Sequence, residues 1–162
     1  MPSEVTSAPA DPDEPLAPGT MAPDFTATAH DGNRFQLASL RGKSVVLYFY
    51  PKDDTPGCTA EAKGFRALKA EYDKVGALVV GVSTDGQQSH QQFAEKYGLP
   101  FALLSDTDGR LARSFGVGAT LGYVKRVTFV IGPDGKIAAT YSDVDVEGHA
   151  EQVLEVLRGL TP

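Results

Sequence analysis

The sequence of 162 residues contains one cysteine, Cys58, and only three histidines. A single cysteine cannot form a disulfide within the chain, so disulfide-stabilised scaffolds and zinc sites built from several cysteines are excluded. The histidines are His30, His90 and His149, and they are far apart in the sequence. They show no metal-ligand spacing, which leaves open only a metal site that folding assembles from distant residues.

The sequence also lacks an excess of positive charge and any long hydrophobic run. Its 15 lysines and arginines are outnumbered by 21 aspartates and glutamates, which gives a formal net charge of −6. An acidic chain is poorly suited to non-specific binding of nucleic acid or of an anionic membrane. No apolar run approaches the roughly 20 residues that a membrane-spanning helix needs. The composition, 41% hydrophobic and 22% charged, predicts a soluble globular protein with one domain.

The first eighteen residues, MPSEVTSAPADPDEPLAP, differ in composition from the rest of the chain. They hold five of the 11 prolines and four acidic residues. Such a segment has too few apolar residues to build a core, so residues 1–18 are predicted to be a disordered tail and residues 19–162 the folded domain. An acidic docking tail is the alternative. The segment has neither the basic nor the apolar region of a secretory signal, and we therefore expect a cytoplasmic protein.

The rest of the sequence alternates between strand and helix patterns. Residues 44–50 form a continuous apolar and aromatic run that ends at Pro51, as expected for a strand buried on both faces. A turn at Asp31-Gly32 predicts an early hairpin. Further strands are predicted over 78–83, 101–104, 126–131 and 137–141, and helices over 58–75, 87–97, 111–115 and 147–158. This order of elements predicts an α/β layered fold.

Cys58 is the strongest candidate for a chemical role. It follows a predicted buried strand and a loop rich in turn residues, and it lies at the start of a predicted helix. Unpaired N–H groups and the helix dipole favour an anion at that position, and the thiolate is the reactive form of cysteine. Gly57 permits close approach to the backbone, while Pro51 and Pro56 stiffen the loop. Against this stands the ordinary role of a lone cysteine as a small buried apolar residue.

The residues around Cys58 also resemble a known family. The pattern Pro51-x-x-x-Thr55-x-x-Cys58 resembles the active-site motif of the peroxiredoxins. The longer string YFYPKDDTPGCT over residues 48–59, followed by Glu61, is similar to the peroxiredoxin Q or bacterioferritin comigratory protein subfamily. The resemblance extends over about residues 19–160 and includes Gly19-x-x-Ala22-Pro23-Asp24-Phe25, Leu40-Arg41-Gly42-Lys43 and Arg126 before Val127-Thr128-Phe129-Val130-Ile131. It implies a thioredoxin-like fold, with a central mixed β-sheet flanked by helices and an N-terminal β-hairpin.

The resemblance implies a role for each of five residues. Cys58 would be the peroxidatic cysteine, whose thiolate attacks a peroxide and becomes a sulfenic acid. Thr55 would hydrogen-bond the sulfur or the peroxide, and Arg126 would hold the thiolate and polarise the peroxide. Pro51 would shield the sulfur from water, and Glu61 would hold Arg126. The resemblance implies a thiol-dependent peroxidase acting on hydrogen peroxide and organic hydroperoxides, with no metal, haem or flavin cofactor.

One position departs from the pattern of many peroxiredoxin Q proteins. They carry a resolving cysteine five residues after the peroxidatic one, where this sequence has Lys63. The chain therefore resembles the one-cysteine variants, and its sulfenic acid needs an external thiol. Candidates are thioredoxin, glutaredoxin and glutathione. We expect a monomer or weak homodimer, with no nucleic-acid or membrane partner.

Two other functions remain open at this level. A thiol–disulfide exchange protein on the same fold is disfavoured because Cys-x-x-Cys chemistry needs two cysteines. A non-catalytic peroxide sensor would contain the same cysteine but would not turn over peroxide. The reaction of the purified protein with peroxide and a thiol donor distinguishes these functions.

Overall fold

The computed structural model describes residues 14–160. The strands within this range are β1 (Thr26–Thr28), β2 (Arg34–Gln36), β3 (Ser44–Phe49), β4 (Ala77–Ser83), β5 (Ala102–Ser105), β6 (Ala119–Thr120), β7 (Tyr123–Val124), β8 (Val127–Ile131) and β9 (Ile137–Tyr141). The helices are α1 (Pro56–Ala67), α2 (Lys69–Lys74), α3 (Gln87–Tyr97), α4 (Arg110–Ser114) and α5 (His149–Leu160), with a short 3-10 helix over Leu37–Leu40.

A mixed five-stranded sheet forms the centre of the fold, in the order β5-β4-β3-β8-β9. β4 runs parallel to β3 and β5 parallel to β4, whereas β8 is antiparallel to β3 and to β9. The parallel strands are joined through helices and the antiparallel pair β8–β9 through a tight turn, as their connection lengths require. The predicted α/β fold with a central mixed sheet is confirmed.

The central strand β3 is buried on both faces. Alternate side chains of a strand point to opposite faces of its sheet, so Val46 and Tyr48 enter one core and Val45 and Leu47 the other. The first core contains side chains of α1, α2, α3 and α5, and the second contains side chains of α4 and the 3-10 helix. The unbroken apolar run in the sequence follows from this double burial.

The N-terminal hairpin is also confirmed. β1 and β2 pair antiparallel, with Thr28 opposite Arg34, around the predicted turn at Asp31-Gly32. Gly32 has a φ of 87°, a conformation that favours glycine. The Asp31 side chain accepts the backbone N–H of Asn33 at 3.0 Å, which closes the turn.

The helix predicted over residues 58–75 begins earlier and is divided in two. α1 ends at Ala67 and α2 begins at Lys69, because Leu68 has φ −103° and ψ 16°, outside the helical range. The apolar periodicity continues across this break because both helices pack on the same core. The sequence pattern therefore does not reveal the interruption.

Residues 14–18, which the sequence places in the tail, are in contact with the domain. The backbone N–H of Leu16 donates to the carbonyl of Phe115 at 3.1 Å, and the Thr140 hydroxyl donates to the carbonyl of Leu16 at 2.7 Å. Ordered contacts thus begin before the boundary predicted at residue 19. The prediction for residues 1–13 lies outside the described residues. Within residues 14–160, no helix is both long and apolar enough to cross a membrane.

Candidate active site

Cys58 lies in the first turn of a helix, as the sequence predicts. Thr55 is the N-cap of α1, Pro56 and Gly57 are its first two residues, and Cys58 is the third. Proline suits the first helical position because it has a helical φ and no N–H to satisfy. Cys58 is buried in the first core, with 1% of its surface exposed. Its sulfur is therefore shielded from bulk water, near the positive end of the helix.

Sheet register brings Arg126 to this sulfur. In the antiparallel pair of β3 and β8, Phe49 lies opposite Val127. Arg126 directly precedes Val127, so it lies at the sheet end from which the chain leaves β3 towards α1. Its Nη2 is 3.5 Å from Cys58 Sγ. A Cβ at Gly57 would lie 3.0 Å from Nη2, so glycine at this position permits the close approach.

Glu61 holds the other side of the Arg126 guanidinium. It lies one turn after Cys58 on α1, and its side chain is fully buried. Arg126 Nη1 donates to Glu61 Oε1 at 2.6 Å. Burial raises the pKa of Glu61 to about 7, although the charge and the hydrogen bond of Arg126 lower it. Among residues 14–160, no group hydrogen-bonds Oε2. One arginine therefore links a buried carboxyl group to the cysteine sulfur.

The other two predicted site residues lie in the loop between β3 and α1. The Thr55 hydroxyl donates to the backbone carbonyl of Lys52 at 2.9 Å, and it forms no hydrogen bond to Cys58 Sγ within the described part of the chain. Its donor therefore stabilises the loop, while the oxygen keeps its acceptor capacity. Pro51 is half-buried directly after Tyr50. The contacts of Thr55 and Pro51 with a substrate remain predictions.

Sequence reasoning missed a second cluster of polar side chains next to this loop, in which Asp53 and His90 are buried and Asp85 is half-buried. Asp53, Asp85 and His90 each bring one potential metal-ligand atom within 4.8 Å of the others. This is the kind of assembled cluster that the histidine spacing left open. However, His90 Nδ1 lies 2.8 Å from Asp53 Oδ2, and Nε2 lies 2.9 Å from the carbonyl of Leu104. Both ring nitrogens are therefore engaged within the protein. The only signal in the sequence was that Asp53 lies inside the Pro51–Cys58 motif.

Comparisons with known proteins identify the family of this chain. Residues 18–140 match the AhpC/TSA family. The chain is 37% identical over 150 residues to peroxiredoxin Bcp of Bacillus subtilis, covering 88% of this chain and 96% of the relative. It is 40% identical over 148 residues to the chloroplastic peroxiredoxin Q of Triticum aestivum, covering 90% of this chain and 68% of that protein.

The solved structures give the same result. The crystal structure of peroxidoxin BcpB from Mycobacterium tuberculosis superposes with a TM-score of 0.85 at 38% identity, covering 91% of this chain and 99% of that one. The Xanthomonas campestris bacterioferritin comigratory protein has a TM-score of 0.81 at 36% identity, covering 91% of this chain and 98% of that one. The chain therefore belongs to the AhpC/TSA family, as a thioredoxin-fold peroxiredoxin of the Bcp and peroxiredoxin Q group, and it is a thiol-dependent peroxidase.

Proposed function

We propose that Cys58 is the peroxidatic cysteine and that Arg126 and Glu61 make it reactive. The Cys58 thiolate attacks one peroxide oxygen, an S–O bond forms, and the O–O bond breaks. The second oxygen leaves with the bonding electron pair and takes up a proton as water or an alcohol. Cys58 is oxidised to a sulfenic acid, and the peroxide is reduced.

The observation that carries this proposal is the 3.5 Å distance between Arg126 Nη2 and Cys58 Sγ. Arginine keeps its charge and offers several donors, so it can stabilise the thiolate and the negative charge that develops on the leaving oxygen. Glu61 fixes the guanidinium from the other side at 2.6 Å, which leaves Nη2 directed at the sulfur. Donors positioned in advance stabilise the transition state more than the ground state.

The proposed substrates are hydrogen peroxide and alkyl hydroperoxides. The Xanthomonas campestris relative is described with an alkyl peroxide reduction activity, and it shares 36% sequence identity with this chain. The attack requires only an accessible O–O bond, so the substituent on the second oxygen can vary. We expect both substrate types to react, with the alkyl group deciding the relative rates.

The sulfenic acid is proposed to react with an external thiol, because the sequence has no second cysteine and Lys63 occupies the position of the resolving residue. A thiolate attacks the Cys58 sulfur and forms an S–S bond, the S–O bond breaks, and the hydroxide that leaves takes up a proton to become water, which gives a mixed disulfide. A second thiol then releases Cys58 and forms a disulfide with the first. Thioredoxin, glutaredoxin and glutathione are the proposed reductants.

The remaining proposals concern the cellular setting. A single unpaired cysteine suits a reducing compartment, so we place the protein in the cytoplasm. The net charge of −6 disfavours binding to nucleic acid and to anionic membranes, so we propose neither as a partner. We propose a monomer or weak homodimer in which residues 19–162 act as the catalytic domain and residues 14–18 pack against it.

Intact mass spectrometry tests the proposed function. Reduced protein is mixed with one equivalent of hydrogen peroxide and a sulfenic-acid trap, then quenched within a second. We expect a rapid stoichiometric adduct, absent from Cys58→Ser. Turnover with thioredoxin, glutaredoxin or glutathione then identifies the reductant. An adduct without turnover would favour the peroxide sensor. Disulfide reduction without an adduct would favour thiol–disulfide exchange.

A further inference from the structure

A second buried acid–base pair lies under the loop that precedes Cys58. Asp53 is in this loop, two residues before the N-cap of α1, and its side chain is 4% exposed. Its partner His90 is on α3 and is fully buried, with Nδ1 at 2.8 Å from Asp53 Oδ2. Neither residue belongs to the set predicted from the sequence, and neither has a contact with Cys58 or Arg126 among the interactions of residues 14–160.

The Asp53 carboxylate is fully engaged. It accepts the Tyr50 hydroxyl at 2.6 Å and the Ser89 hydroxyl at 2.8 Å, and it lies 2.8 Å from His90 Nδ1. These donors come from the residue after β3 and from α3, so one carboxylate joins the loop to both elements. A buried carboxylate with three polar side chains around it is held in one orientation.

His90 extends these connections to the sheet. Its Nε2 lies 2.9 Å from the backbone carbonyl of Leu104 on β5. A carbonyl only accepts, so Nε2 carries a hydrogen, and the remaining nitrogen Nδ1 faces the carboxylate of Asp53. The loop backbone is bound as well, since the N–H of Asp53 donates to Asp85 Oδ2 at 2.8 Å. The loop is thereby fixed to α3, to β5 and to the segment after β4.

Stability alone does not explain a buried pair of this kind. Burying two ionisable groups costs desolvation energy that their attraction only partly offsets, and apolar residues of similar volume are often as stable. What the pair provides is a defined geometry. It fixes the loop that contains Thr55 and leads into the first turn of α1, where Cys58 Sγ meets Arg126 Nη2 at 3.5 Å.

We propose that Asp53 and His90 are positioning residues for the peroxidase reaction, acting through the loop without touching the peroxide. This inference rests on the proposed role of Cys58. If the pair is weakened, Thr55 and the first turn of α1 shift relative to Arg126. Peroxide attack then slows, because misplacement of a reacting group by about 1 Å can cost on the order of 100-fold in rate.

The test compares two adjacent aspartates of the same loop. Asp53→Asn keeps the shape of the side chain but removes its charge next to His90. The matched control is Asp54→Asn, because Asp54 also binds α3, through Lys96 Nζ at 2.7 Å and the Tyr97 hydroxyl at 2.6 Å, yet its side chain is 42% exposed. We expect Asp53→Asn to lower the second-order rate constant with hydrogen peroxide at least about 10-fold, and Asp54→Asn less than about 2-fold.

A second readout separates positioning from a general loss of structure. Alkylation of Cys58 by iodoacetamide requires the thiolate but not the groups that orient a peroxide. In Asp53→Asn we expect alkylation at the wild-type rate or faster, because a loosened loop exposes the buried sulfur. A parallel fall of both rates would overturn the proposal and indicate that the pair only maintains the fold.

Two further variants complete the test. His90→Asn and the double variant with Asp53→Asn should each react about as slowly as Asp53→Asn alone, since the two residues act as one unit; additive losses would overturn the pairing. Should Asp53→Asn fail to fold, Tyr50→Phe removes a single donor at constant volume. It should slow peroxide attack while alkylation does not fall, and a wild-type peroxide rate for it would overturn the proposal.

The outcomes also separate this inference from the proposed function. If the wild-type protein reacts rapidly and Asp53→Asn reacts equally fast, the positioning role is wrong and the role of Cys58 stands. If the wild-type protein forms no adduct with peroxide, the proposed role of Cys58 fails and the positioning role fails with it.

Discussion

Two pairs of charged or ionisable side chains, each with a buried carboxyl group, flank the first turn of α1, and the carboxyl groups differ in the number of hydrogen bonds that they accept. Glu61 accepts one hydrogen bond, from Arg126 at 2.6 Å, and its second oxygen has no partner among residues 14–160. Asp53 accepts hydrogen bonds from two hydroxyl groups and lies 2.8 Å from His90 Nδ1. The first pair touches the reactive sulfur through Arg126, whereas the second holds only the loop.

The two pairs also differ in the pKa of the carboxyl group and in exposure to solvent. Burial raises the pKa of Glu61 to about 7, against the opposing effect of the charge and hydrogen bond of Arg126. The Arg126 side chain is 22% exposed and keeps one end for Cys58. In the second pair, both carboxylate oxygens of Asp53 accept a hydrogen bond, and the side chains of Asp53 and His90 are only 4% and 0% exposed. The carboxyl group with the raised pKa therefore lies beside Arg126 and Cys58, and the carboxylate with the larger number of hydrogen bonds lies in the preceding loop.

The largest effect is expected when the Cys58 thiol, which lies between the two pairs, is removed. Cys58→Ser should abolish peroxide turnover completely, because a serine hydroxyl does not form a comparable nucleophile at neutral pH. The fold should be retained, since the two side chains are similar in size. Peroxide consumption and circular dichroism measure the two quantities. Residual turnover at the wild-type rate would place the reaction elsewhere in the chain.

Removal of Arg126, the guanidinium group of the first pair, should have the next largest effect on the peroxide rate. Arg126→Ala should slow the reaction of Cys58 with peroxide by about 10²–10³-fold, the usual cost of losing one donor to a developing oxyanion. Arg126→Lys should recover only part of this, because an ammonium group cannot bind Glu61 and the sulfur as a planar fork. Stopped-flow kinetics measures both rates.

The control for these variants is Arg158→Ala. Arg158 is an exposed arginine on α5 that is paired with Glu155 at 2.9 Å and with Glu71 at 3.5 Å. Its removal should leave the peroxide rate unchanged. Equal slowing of Arg126→Ala and Arg158→Ala would mean that net charge, and not contact with the sulfur, determines the rate.

Glu61, the carboxyl group of the first pair, should make the free energy of unfolding depend on pH. The folded protein raises the pKa of Glu61 from 4.5 to about 7, so the folded state binds the proton more tightly than the unfolded state. The contribution of this group is therefore present below pH 4.5 and is lost as the pH rises through about 7. Glu61→Gln removes this dependence.

Urea unfolding of wild type and Glu61→Gln between pH 4.5 and 8 measures the effect. The stability of wild type relative to the variant should fall with rising pH, by up to about 3 kcal/mol for a shift of this size. Taking the difference between the two proteins removes the contribution of His149, whose pKa burial lowers. Parallel curves over the whole range would contradict the raised pKa.

The smallest effect is expected from Lys63→Cys, in which the yield of a disulfide with Cys58 measures how readily the first turn of α1 unwinds. Residues five positions apart do not share a face of an intact helix, so oxidised protein should form little disulfide with Cys58. In combination with Asp53→Asn the disulfide should form faster, because the loop is released. Non-reducing mass spectrometry measures the yield. Rapid disulfide formation in Lys63→Cys alone would mean that α1 opens even with both pairs intact.

Much of the fold follows from local patterns in the sequence. The apolar run of β3 predicted a strand buried on both faces, and Asp31-Gly32 predicted a hairpin turn. The break at Leu68 was missed because the helices on either side bury their apolar residues in one core. The hairpin of β6 and β7, over residues 119–124, was also missed, since strands of two residues are too short to show alternation.

The candidate site, like the fold, was only partly predictable from local patterns in the sequence. The motif around Cys58 was recognisable because its residues are close together and each has a local role, such as the turn and the start of a helix. Arg126 and Glu61 were assigned by resemblance alone, and the structure places Arg126 between Glu61 and Cys58. Asp53 was passed over because nothing in its own segment indicates its partner.

The sequence by itself determined the strand, loop and helix that present Cys58, because burial patterns, prolines and helix starts act over a few neighbouring residues. Only the tertiary structure decided which charged groups meet. Arg126 and Glu61 are 65 residues apart, and Asp53 and His90 are 37 residues apart. Their contacts depend on the register of β3 with β8 and on the packing of α3 against the sheet. Such contacts leave no local pattern, because each partner alone is compatible with an exposed, solvated side chain.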